Sequence, residues 1–383
     1  YYKFKKIFMN KSSKVIIGLI ILAVAVWGGF KLFGTKNEKA SEPIKIGVIL
    51  PLTGNVAKYG EEMKRGVELA IEKNKETPVE VFYEDSKFDT KEGVSAYQKL
   101  KNTNGIKIMI TAGSPVALAV SPLANGDNVF QMAIAASTPK YTSENDLTFR
   151  VTARAEVEDR EIAKFIVPRY KNIGLLYSNN EWGVGHYSSI KSEIEKLKGN
   201  IVAEETFLME DTDFRTQLLK IKSKNPEIVF LLAVAKSAGV ILKQAKELGI
   251  KTNFIGIQSL QSKDLISIAG EAANGVLYSY SFDPQTTESS TSAIKSFVEK
   301  YKTQYNNEEP TSYVAEGYDA LDLIVKAVNE CKEVNTNCMK TKLLEVKDYH
   351  GILGSLTFDR NGDVSYPYFI KTIKNGQFVK YEE

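Results

Sequence analysis

The strongest constraint on the fold is a regular alternation of short apolar segments with helical patterns over most of the chain. Residues 44–50 read IKIGVIL, a run rich in β-branched residues, and residues 57–74 place Met63, Val67 and Ala70 at helical spacing. This alternation is typical of parallel sheets whose two faces are covered by crossover helices. The sequence therefore predicts an α/β fold with doubly wound sheets.

The alternation divides into two series, one on each side of Arg150. In the first, further strands are predicted at 79–83, 106–111 and 129–135, with helices at 90–103 and 115–125. In the second, strands are predicted at 173–177, 201–207, 228–234, 254–258 and 276–282, with helices at 156–169, 183–198, 213–223 and 237–248. Two such series predict two similar α/β lobes. The pattern does not say how these lobes share the predicted helices at 290–305 and 312–331 and the strand-rich segment 355–381.

The N-terminal segment is predicted to direct the chain to a membrane. Residues 15–30, VIIGLIILAVAVWGGF, carry no charge and follow a lysine-rich stretch, which is the order found in signal sequences. The segment is slightly shorter than the roughly 20 residues that cross a bilayer, but Lys31 can reach the membrane surface and so extend it. We predict an uncleaved anchor over residues 15–33 or, alternatively, a cleaved signal. Both place the rest of the chain outside the cytoplasm, in a periplasm or at the cell surface, beyond a polar tether at 35–43.

The two cysteines, Cys331 and Cys338, lie in a short segment between two helical patterns. In an oxidising compartment, a disulfide between them would close a small loop. Two unpaired surface thiols are the alternative. A metal site is disfavoured because the chain has only two His and no further Cys.

Composition and motifs argue against nucleic-acid binding and against the common enzyme classes. Lys and Arg number 50 and Asp and Glu 47, so the net charge of +3 gives no overall field for nucleic acid. The chain has no GxGxxG after its first strand, no GxxxxGK[ST], no HExxH and no GxSxG. His186 and His350 are interpreted as surface or packed residues, and residues 359–363 as a hairpin turn on Asn361 and Gly362 rather than a calcium loop. We therefore expect no catalysis and no cofactor.

Two hydroxyls follow neighbouring predicted strands and indicate a site for a small anion. Ser114 stands between Gly113 and Pro115, at the predicted start of a helix whose free amides attract anions. Ser137 follows the next strand. Because ligands of doubly wound sheets bind beyond the carboxyl ends of the strands, the two hydroxyls together predict a carboxylate site. Taken singly, each is more often an ordinary cap or turn.

Sequence motifs along about residues 44–380 show a family resemblance. In order, they are IKIGVILPLTGNVAKYGEEMKRGVELAIE, SPVALAVSPLA leading to AASTPKYT, YSNNEWGVG, LKQAKELGIKTNFIG and GSLTFDRNGD. Together they strongly resemble the leucine/isoleucine/valine-binding proteins, the extracytoplasmic solute receptors of branched-chain amino acid ABC transporters. The resemblance implies a type I periplasmic-binding-protein fold: two Rossmann-like lobes joined by three crossover strands, preceded here by the N-terminal hydrophobic helix.

The resemblance also implies how the chain is divided. Lobe 1 is expected at 44–153 plus 283–365 and lobe 2 at 154–282 plus 366–383, after a signal or anchor segment with its tether at 1–43. The three crossings are expected near Thr152, Phe282 and Tyr366. A ligand is expected to be enclosed between the lobes by hinge closure.

Carried over residue by residue, the resemblance assigns ligand-binding roles. Ser114 and Ser137 are expected to hold the α-carboxylate of the ligand, and the carbonyl of Ala135 its ammonium. Tyr59 is expected to line the pocket from the first loop, and Trp182 to cover the ligand from lobe 2. The site is therefore expected to combine groups from both lobes.

Departures from the family bear on the identity of the ligand. Gln258, also expected at the ligand, stands where branched-chain amino acid receptors have a Glu that pairs with the ammonium; Ala155 and Val234 replace an Asp and a Tyr. Loss of a carboxylate partner should weaken binding by roughly 1–3 kcal/mol. Either Glu156 or Asp159 supplies the missing charge, or the ligand is not a standard α-amino acid. Our hypothesis is a pocket for a carboxylate, an amide or a weakly charged amine.

The predicted function is capture of a small solute without chemistry on it. The solute, an amino acid, amide or small carboxylate, would be delivered by the closed form to the membrane permease of an ABC transporter. A membrane-anchored sensor with the same fold, which would need a cytoplasmic output domain, is the alternative. Apart from the permease and the ligand, the expected contact is with the membrane through the N-terminal helix, and no nucleic acid is expected.

Overall fold

Two separate parallel sheets, one from each predicted series, organise the computed structural model. The structure describes residues 42–282, 284 and 292–382. The predicted N-terminal helix and the predicted boundary at residue 283 lie outside these residues. Within the described ranges, none of the helices has the length and apolar character that a membrane crossing requires.

The first sheet is entirely parallel, with strand order β2-β1-β3-β4-β5. Its strands are β1 (Ile44–Leu50), β2 (Val79–Asp85), β3 (Ile108–Ala112), β4 (Phe130–Ile134) and β5 (Thr148–Arg150). The helices between them are α1 (Ala57–Lys73), α2 (Thr90–Asn104) and α3 (Ser114–Gly126). The central strands β3 and β4 are buried at every position, because helices cover both faces of the sheet.

The second sheet repeats this order and begins after a crossing at residues 151–154. Its parallel strands are β6 (Asn172–Ser178), β7 (Asn200–Phe207), β8 (Ile228–Leu232), β9 (Asn253–Gly256) and β10 (Leu277–Tyr280), in the order β10-β9-β8-β6-β7. Its helices are α4 (Ala155–Ile166), α5 (Glu181–Lys196), α6 (Arg215–Ser223), α7 (Ala235–Glu247) and α8 (Lys263–Ala269). The predicted α/β fold with two lobes is confirmed.

The C-terminal part of the chain contributes to both lobes. It contains α9 (Ser292–Gln304), α10 (Ser312–Cys331), α11 (Thr336–Glu345), the small antiparallel pair β11 (Tyr349–His350) and β12 (Ser355–Leu356), and then β13 (Phe369–Lys374) and β14 (Gln377–Lys380). β13 pairs antiparallel with β10, so β13 and β14 extend the second sheet. α10 instead packs against α1 of the first lobe.

Two glycines allow the close approach of α1 and α10. A Cβ at Gly66 would lie 2.0 Å from the carbonyl oxygen of Val314, and one at Gly317 would lie 2.2 Å from that of Met63. Any side chain at either position would therefore force the helices apart. We call β1–β5 with α1–α3 and α10 the first lobe, and the second sheet with α4–α8 the second lobe; the exact boundaries given above stay a prediction.

Several elements differ from the sequence-based expectations. β5 and α8 were not predicted, since segments this short carry too few residues to establish a periodicity, whereas α11 is the second of the two helical patterns that flank the cysteines. Residues 359–363 form the predicted tight turn, closed by bonds from the Gly362 amide to the Asp359 carbonyl (3.0 Å) and from the Asp359 amide to the Asp363 carbonyl (2.9 Å), although no regular strands pair on its two sides. The disulfide predicted between Cys331 and Cys338 is confirmed and lies at the end of α10.

Candidate functional site

A cavity lies between the lobes, beyond the carboxyl ends of the parallel strands of both sheets. Loops that follow β1, β3 and β4 form one wall, and loops that follow β6, β8 and β9 form the other. Its volume, taken as the space open to the centre of a water-sized sphere, is about 50 Å³, and most of its lining is apolar, from residues such as Val56, Met63, Phe88, Val234, Ile257 and Tyr313. This is the position at which doubly wound sheets bind ligands.

Five of the six predicted ligand-binding residues line this cavity: Tyr59, Ala135, Ser137, Trp182 and Gln258. Ser114 lies just behind the lining residue Gly113, and its hydroxyl oxygen accepts a hydrogen bond from the Thr138 amide (3.2 Å). Its side chain therefore holds the loop that carries Ser137. The roles of all six at a ligand stay predictions.

Tyr59, on α1 of the first lobe, is hydrogen-bonded to two backbone groups of the second. Its hydroxyl donates to the Ser259 carbonyl (2.8 Å) and accepts from the Ala235 amide (2.8 Å) at the start of α7. Burial raises the pKa of Tyr59, so the hydroxyl stays protonated and can donate. These two bonds hold the lobes in a closed arrangement.

Ser137 belongs to a buried chain of three polar side chains that crosses between the lobes. Its hydroxyl lies 2.8 Å from Nε2 of His186 on α5, and Nδ1 of the same ring lies 2.9 Å from Oδ1 of Asp159 on α4. Burial alone would lower the pKa of His186, but the Asp159 carboxylate outweighs it and the pKa is raised. His186 is therefore a packed residue, as expected, and it also lines the cavity and orients the Ser137 hydroxyl.

Ala135 adopts a backbone conformation that is unusual for a residue with a side chain. Its φ is +50°, and its amide donates to Oε2 of Glu316 on α10 (2.6 Å). The same oxygen accepts from the Thr152 hydroxyl (2.6 Å) on the first crossing. Non-glycine residues in this conformation are held by their surroundings and concentrate at functional sites. Glu316 therefore fixes the backbone at the position where the resemblance puts an ammonium-binding carbonyl.

Gln258 also contacts Glu316, so that an acid at residue 258 would face a second carboxylate. Its amide nitrogen donates to Oε1 of Glu316 (3.4 Å), whereas a Glu at this position would bring a second carboxylate against it. The other end of the amide, Oε1, is buried and has no hydrogen-bond partner among the described residues. It remains available as an acceptor at the cavity wall.

Glu158 is the acid that lines the cavity, and neither of the two acids considered from the sequence does so. Glu156 forms an ion pair with Arg154 (2.7 Å) and Asp159 contacts His186. One carboxylate oxygen of Glu158 accepts a hydrogen bond from the Ser279 hydroxyl. Burial raises the pKa of Glu158 to about 7.

A buried ion pair behind the cavity holds the loop that carries Ser137. Nε of Arg150 contacts Oδ1 of Asp363 at 2.6 Å, and Nη1 donates to the carbonyls of Ala136 and Thr138 at 2.8 Å each. Arg150 is fully buried. The pair therefore sets the path of residues 136–138 without reaching the cavity.

Glu158, Glu316 and the link from Ser137 through His186 to Asp159 were missed as site components by the sequence reasoning. No sequence signal marks Glu316, because α10 also buries two other acids, Asp319 and Asp322. The same holds for Glu158, which is one of several acids along α4.

Comparison with known proteins gives consistent matches over nearly all of the described chain. Residues 43–377 match a family model described as periplasmic binding protein. A Leu/Ile/Val-binding protein homolog 2 from Brucella abortus (strain 2308) is 28% identical over 385 residues, which cover 97% of this chain and 99% of the relative. A leucine-, isoleucine-, valine-, threonine- and alanine-binding protein from Pseudomonas aeruginosa is 27% identical and aligns with 90% of each chain.

One solved structure extends this likeness to three dimensions. The branched-chain amino acid transporter substrate binding protein of Streptococcus pneumoniae, in complex with isoleucine, has a TM-score of 0.80 to this chain at 26% identity. The match covers 88% of this chain and 98% of that one, and so includes both lobes.

Proposed function

This chain belongs to the periplasmic binding protein family, and from that premise we propose that it is the extracytoplasmic substrate-binding protein of an ABC importer. It captures an amino acid or a related small carboxylate or amide between its lobes, closes on it, and presents the closed form to the membrane permease. The family consists of binding proteins rather than enzymes, and the chain performs no chemistry on its ligand.

The observation that carries this proposal is the cavity whose walls come from both lobes. A ligand there touches the first lobe through residues such as Ala135 and Ser137, and the second through Trp182 and Gln258. It therefore binds the closed form better than any open form, which is the condition for ligand-driven hinge closure. The bonds from Tyr59 to the second lobe add to closure directly.

Within this proposal the six residues keep the roles assigned by resemblance. Ser137 and the backbone near Ser114 hold a carboxylate, and Ala135 offers its carbonyl to a nitrogen of the ligand. Tyr59 and Trp182 enclose the ligand, and Gln258 contacts it through its amide. Relatives named for leucine, isoleucine and valine support this ligand class.

The proposal also includes the N-terminal segment and the division into lobes. The apolar residues 15–33 anchor the chain to the outer face of the cytoplasmic membrane, or are removed as a signal, and the polar residues 35–43 form a tether. The moving bodies are residues 44–153 plus 283–365 and residues 154–282 plus 366–383.

A thermal-shift screen of the full-length chain tests the proposal. The panel contains branched-chain, polar and aromatic amino acids, their amides, and simple aliphatic and aromatic carboxylates. A ligand at about 100 times its dissociation constant stabilises the folded state by about 2.7 kcal/mol, which raises the melting temperature by several degrees. A shift with at least one class supports solute capture. No shift with any member of the panel would contradict it.

A further inference from the structure

Glu158 is a buried carboxylate at the cavity wall that lacks a cationic partner. Its exposure is 3%, and its one described side-chain hydrogen bond comes from the neutral hydroxyl of Ser279. Among the described residues, no lysine or arginine forms an ion pair with it. A carboxylate taken out of water in this way is unfavourable unless a positive charge reaches it.

The surroundings of Glu158 supply only part of that charge. His186 attracts the Glu158 carboxylate and so lowers its pKa, but burial has the larger effect, and the His186 ring is already bonded to Asp159 and Ser137. Glu316, which contacts the lining residues Ala135 and Gln258, is also buried and receives only neutral donors, from Ala135, Thr152 and Gln258. Among the described residues, neither Glu158 nor Glu316 therefore has an ion-pair partner.

We propose that Glu158 binds the protonated amine of the captured solute, in place of the acid that residue 258 lacks. This inference rests on the proposed function and narrows it: the solute carries an ammonium group, and carboxylates and amides without an amine are poor ligands. Branched-chain amino acid receptors carry this ammonium-binding carboxylate at the position of Gln258. In this chain, Glu158 on α4 provides it instead.

The other groups around Glu158 suit an ammonium group. An ammonium has three N–H donors, and the unpartnered Oε1 of Gln258 lines the same cavity and accepts one of them. The backbone N–H of Gln258 donates to the Glu158 carboxylate and, like the Ser279 hydroxyl, is a neutral donor that leaves the carboxylate charge for a ligand to balance. The carbonyl of Ala135, assigned by resemblance, provides a third acceptor.

Binding of an ammonium at Glu158 is coupled to proton release. Burial raises the pKa of Glu158 to about 7, so without a cation the group is half protonated near neutral pH. The titratable groups that face it are Asp159 on the same helix, His186 on α5 and Tyr368 before β13. An ammonium favours the ionised carboxylate, so its affinity rises as the pH increases from about 5.5 to 7.5.

Matched pairs of probes test the inference in the full-length chain, purified in mild detergent. Each pair differs only by the amine: L-leucine and 4-methylpentanoate, L-phenylalanine and 3-phenylpropanoate, L-alanine and propanoate. By calorimetry we expect the amine-bearing member of a pair that binds to be at least tenfold tighter. Equal or tighter binding of the amine-free member would overturn the inference and leave solute capture intact. Binding of no compound in the pairs or in the wider panel would overturn both.

A pair of variants on one helix locates the ammonium site. Glu158→Gln should weaken binding of the tightest amine-bearing probe at least tenfold and leave its amine-free partner unchanged or improved. Glu156→Gln makes the same charge change two residues away, where the side chain pairs with Arg154, and should leave both affinities unchanged. Equal effects of the two variants would overturn the inference.

A measurement on the unaltered protein covers the case in which Glu158→Gln does not fold. Calorimetry at pH 7 in two buffers of different ionisation enthalpy gives the number of protons released per bound ligand. We expect about half a proton for an amine-bearing probe, because a group at its pKa is half protonated. Release of no proton would overturn the inference.

Discussion

Two groups of buried charges, one behind the cavity and one at it, differ in how they are balanced. Behind the cavity, the guanidinium of Arg150 meets the carboxylate of Asp363 and two carbonyls, so its charge and its donors are matched within the protein. At the cavity, Glu158 and Glu316 receive only neutral donors. The first group stabilises one conformation of the loop at residues 136–138. The second group consists of carboxylates without an ion-pair partner, and a positively charged ligand can provide one.

This difference predicts opposite responses to mutation. Removing one member of a balanced buried pair leaves the other charged and alone, whereas removing an unbalanced charge relieves a cost. Balanced charges should therefore matter most for unfolding, and unbalanced ones for binding.

The largest effect is expected for Arg150→Met. It leaves the Asp363 carboxylate buried without its main partner, which should lower the free energy of unfolding by about 3–5 kcal/mol. Urea denaturation with an unchanged m-value measures this. Arg154→Met is the matched control, because Arg154 is partly exposed and lies 3.6 Å from the other Asp363 oxygen, and its effect should be much smaller. If both variants lost the same unfolding free energy, the buried Arg150–Asp363 pair would contribute no more to stability than the partly exposed Arg154.

The next effect concerns pH and Glu158. The folded pKa of about 7 lies above the ordinary value of 4.5, so the folded state holds this proton more tightly than the unfolded state. The associated stability is complete below about pH 4.5 and is lost as the pH rises through 7, a change of about 3 kcal/mol.

Glu158→Gln removes this pH-dependent contribution. The difference in unfolding free energy between the variant and the unaltered protein should therefore grow in favour of the variant from pH 4 to pH 8, by about 3 kcal/mol at most. Denaturation at a series of pH values, without ligand, measures it. If the difference in unfolding free energy did not change with pH, the pKa of Glu158 would not be raised by folding, and the group would not be a carboxylate without a compensating charge.

A smaller effect, on closure rather than on folding, is expected for Tyr59→Phe. Both bonds from its hydroxyl reach the second lobe, and their loss should disfavour the closed form by about 1–3 kcal/mol, seen as weaker ligand binding. Tyr313→Phe is the control: its ring lies 4.9 Å from that of Tyr59, but no described bond joins its hydroxyl to the second lobe. Small-angle scattering should show a more open Tyr59→Phe protein and an unchanged Tyr313→Phe protein.

The smallest effect is expected at a charge pair that is neither buried nor near the cavity. Lys191 and Glu204 lie 2.9 Å apart with about a third of each side chain exposed. Lys191→Gln should change the unfolding free energy by less than about 1 kcal/mol and leave ligand affinity unchanged. A loss of unfolding free energy as large as that of Arg150→Met would show that burial does not determine how much an ion pair contributes to stability.

The sequence contained enough information for both sheets and for most of the cavity wall. Strand and helix periodicity predicted the sheets, and the family resemblance led to Tyr59, Ala135, Ser137, Trp182 and Gln258, all of which line the cavity. These residues lie in or next to the motifs that carry the resemblance, which is why they could be assigned from the sequence; of the five, the strand pattern alone pointed only to Ser137.

The acids could not be found in the same way, because their roles depend on contacts between distant segments. Glu158 meets Ser279 across 121 residues, and Glu316 meets Ala135 across 181. Nothing in the local pattern of α4 separates Glu158 from Glu156, which is solvated and paired with Arg154. Only the folded arrangement shows which acid has no cation.

The fluorescence of Trp182 can report on binding at the cavity. The chain has two tryptophans, and this one is 8% exposed at the cavity, with its ring 6.0 Å from the imidazole of His186. With Trp182 in its proposed place over the ligand, an arriving solute would change both the polarity around the indole and its contact with the His186 ring. Replacing Trp27, which lies outside the described residues, would leave a single emitter whose colour and intensity follow occupancy in real time, without any attached dye.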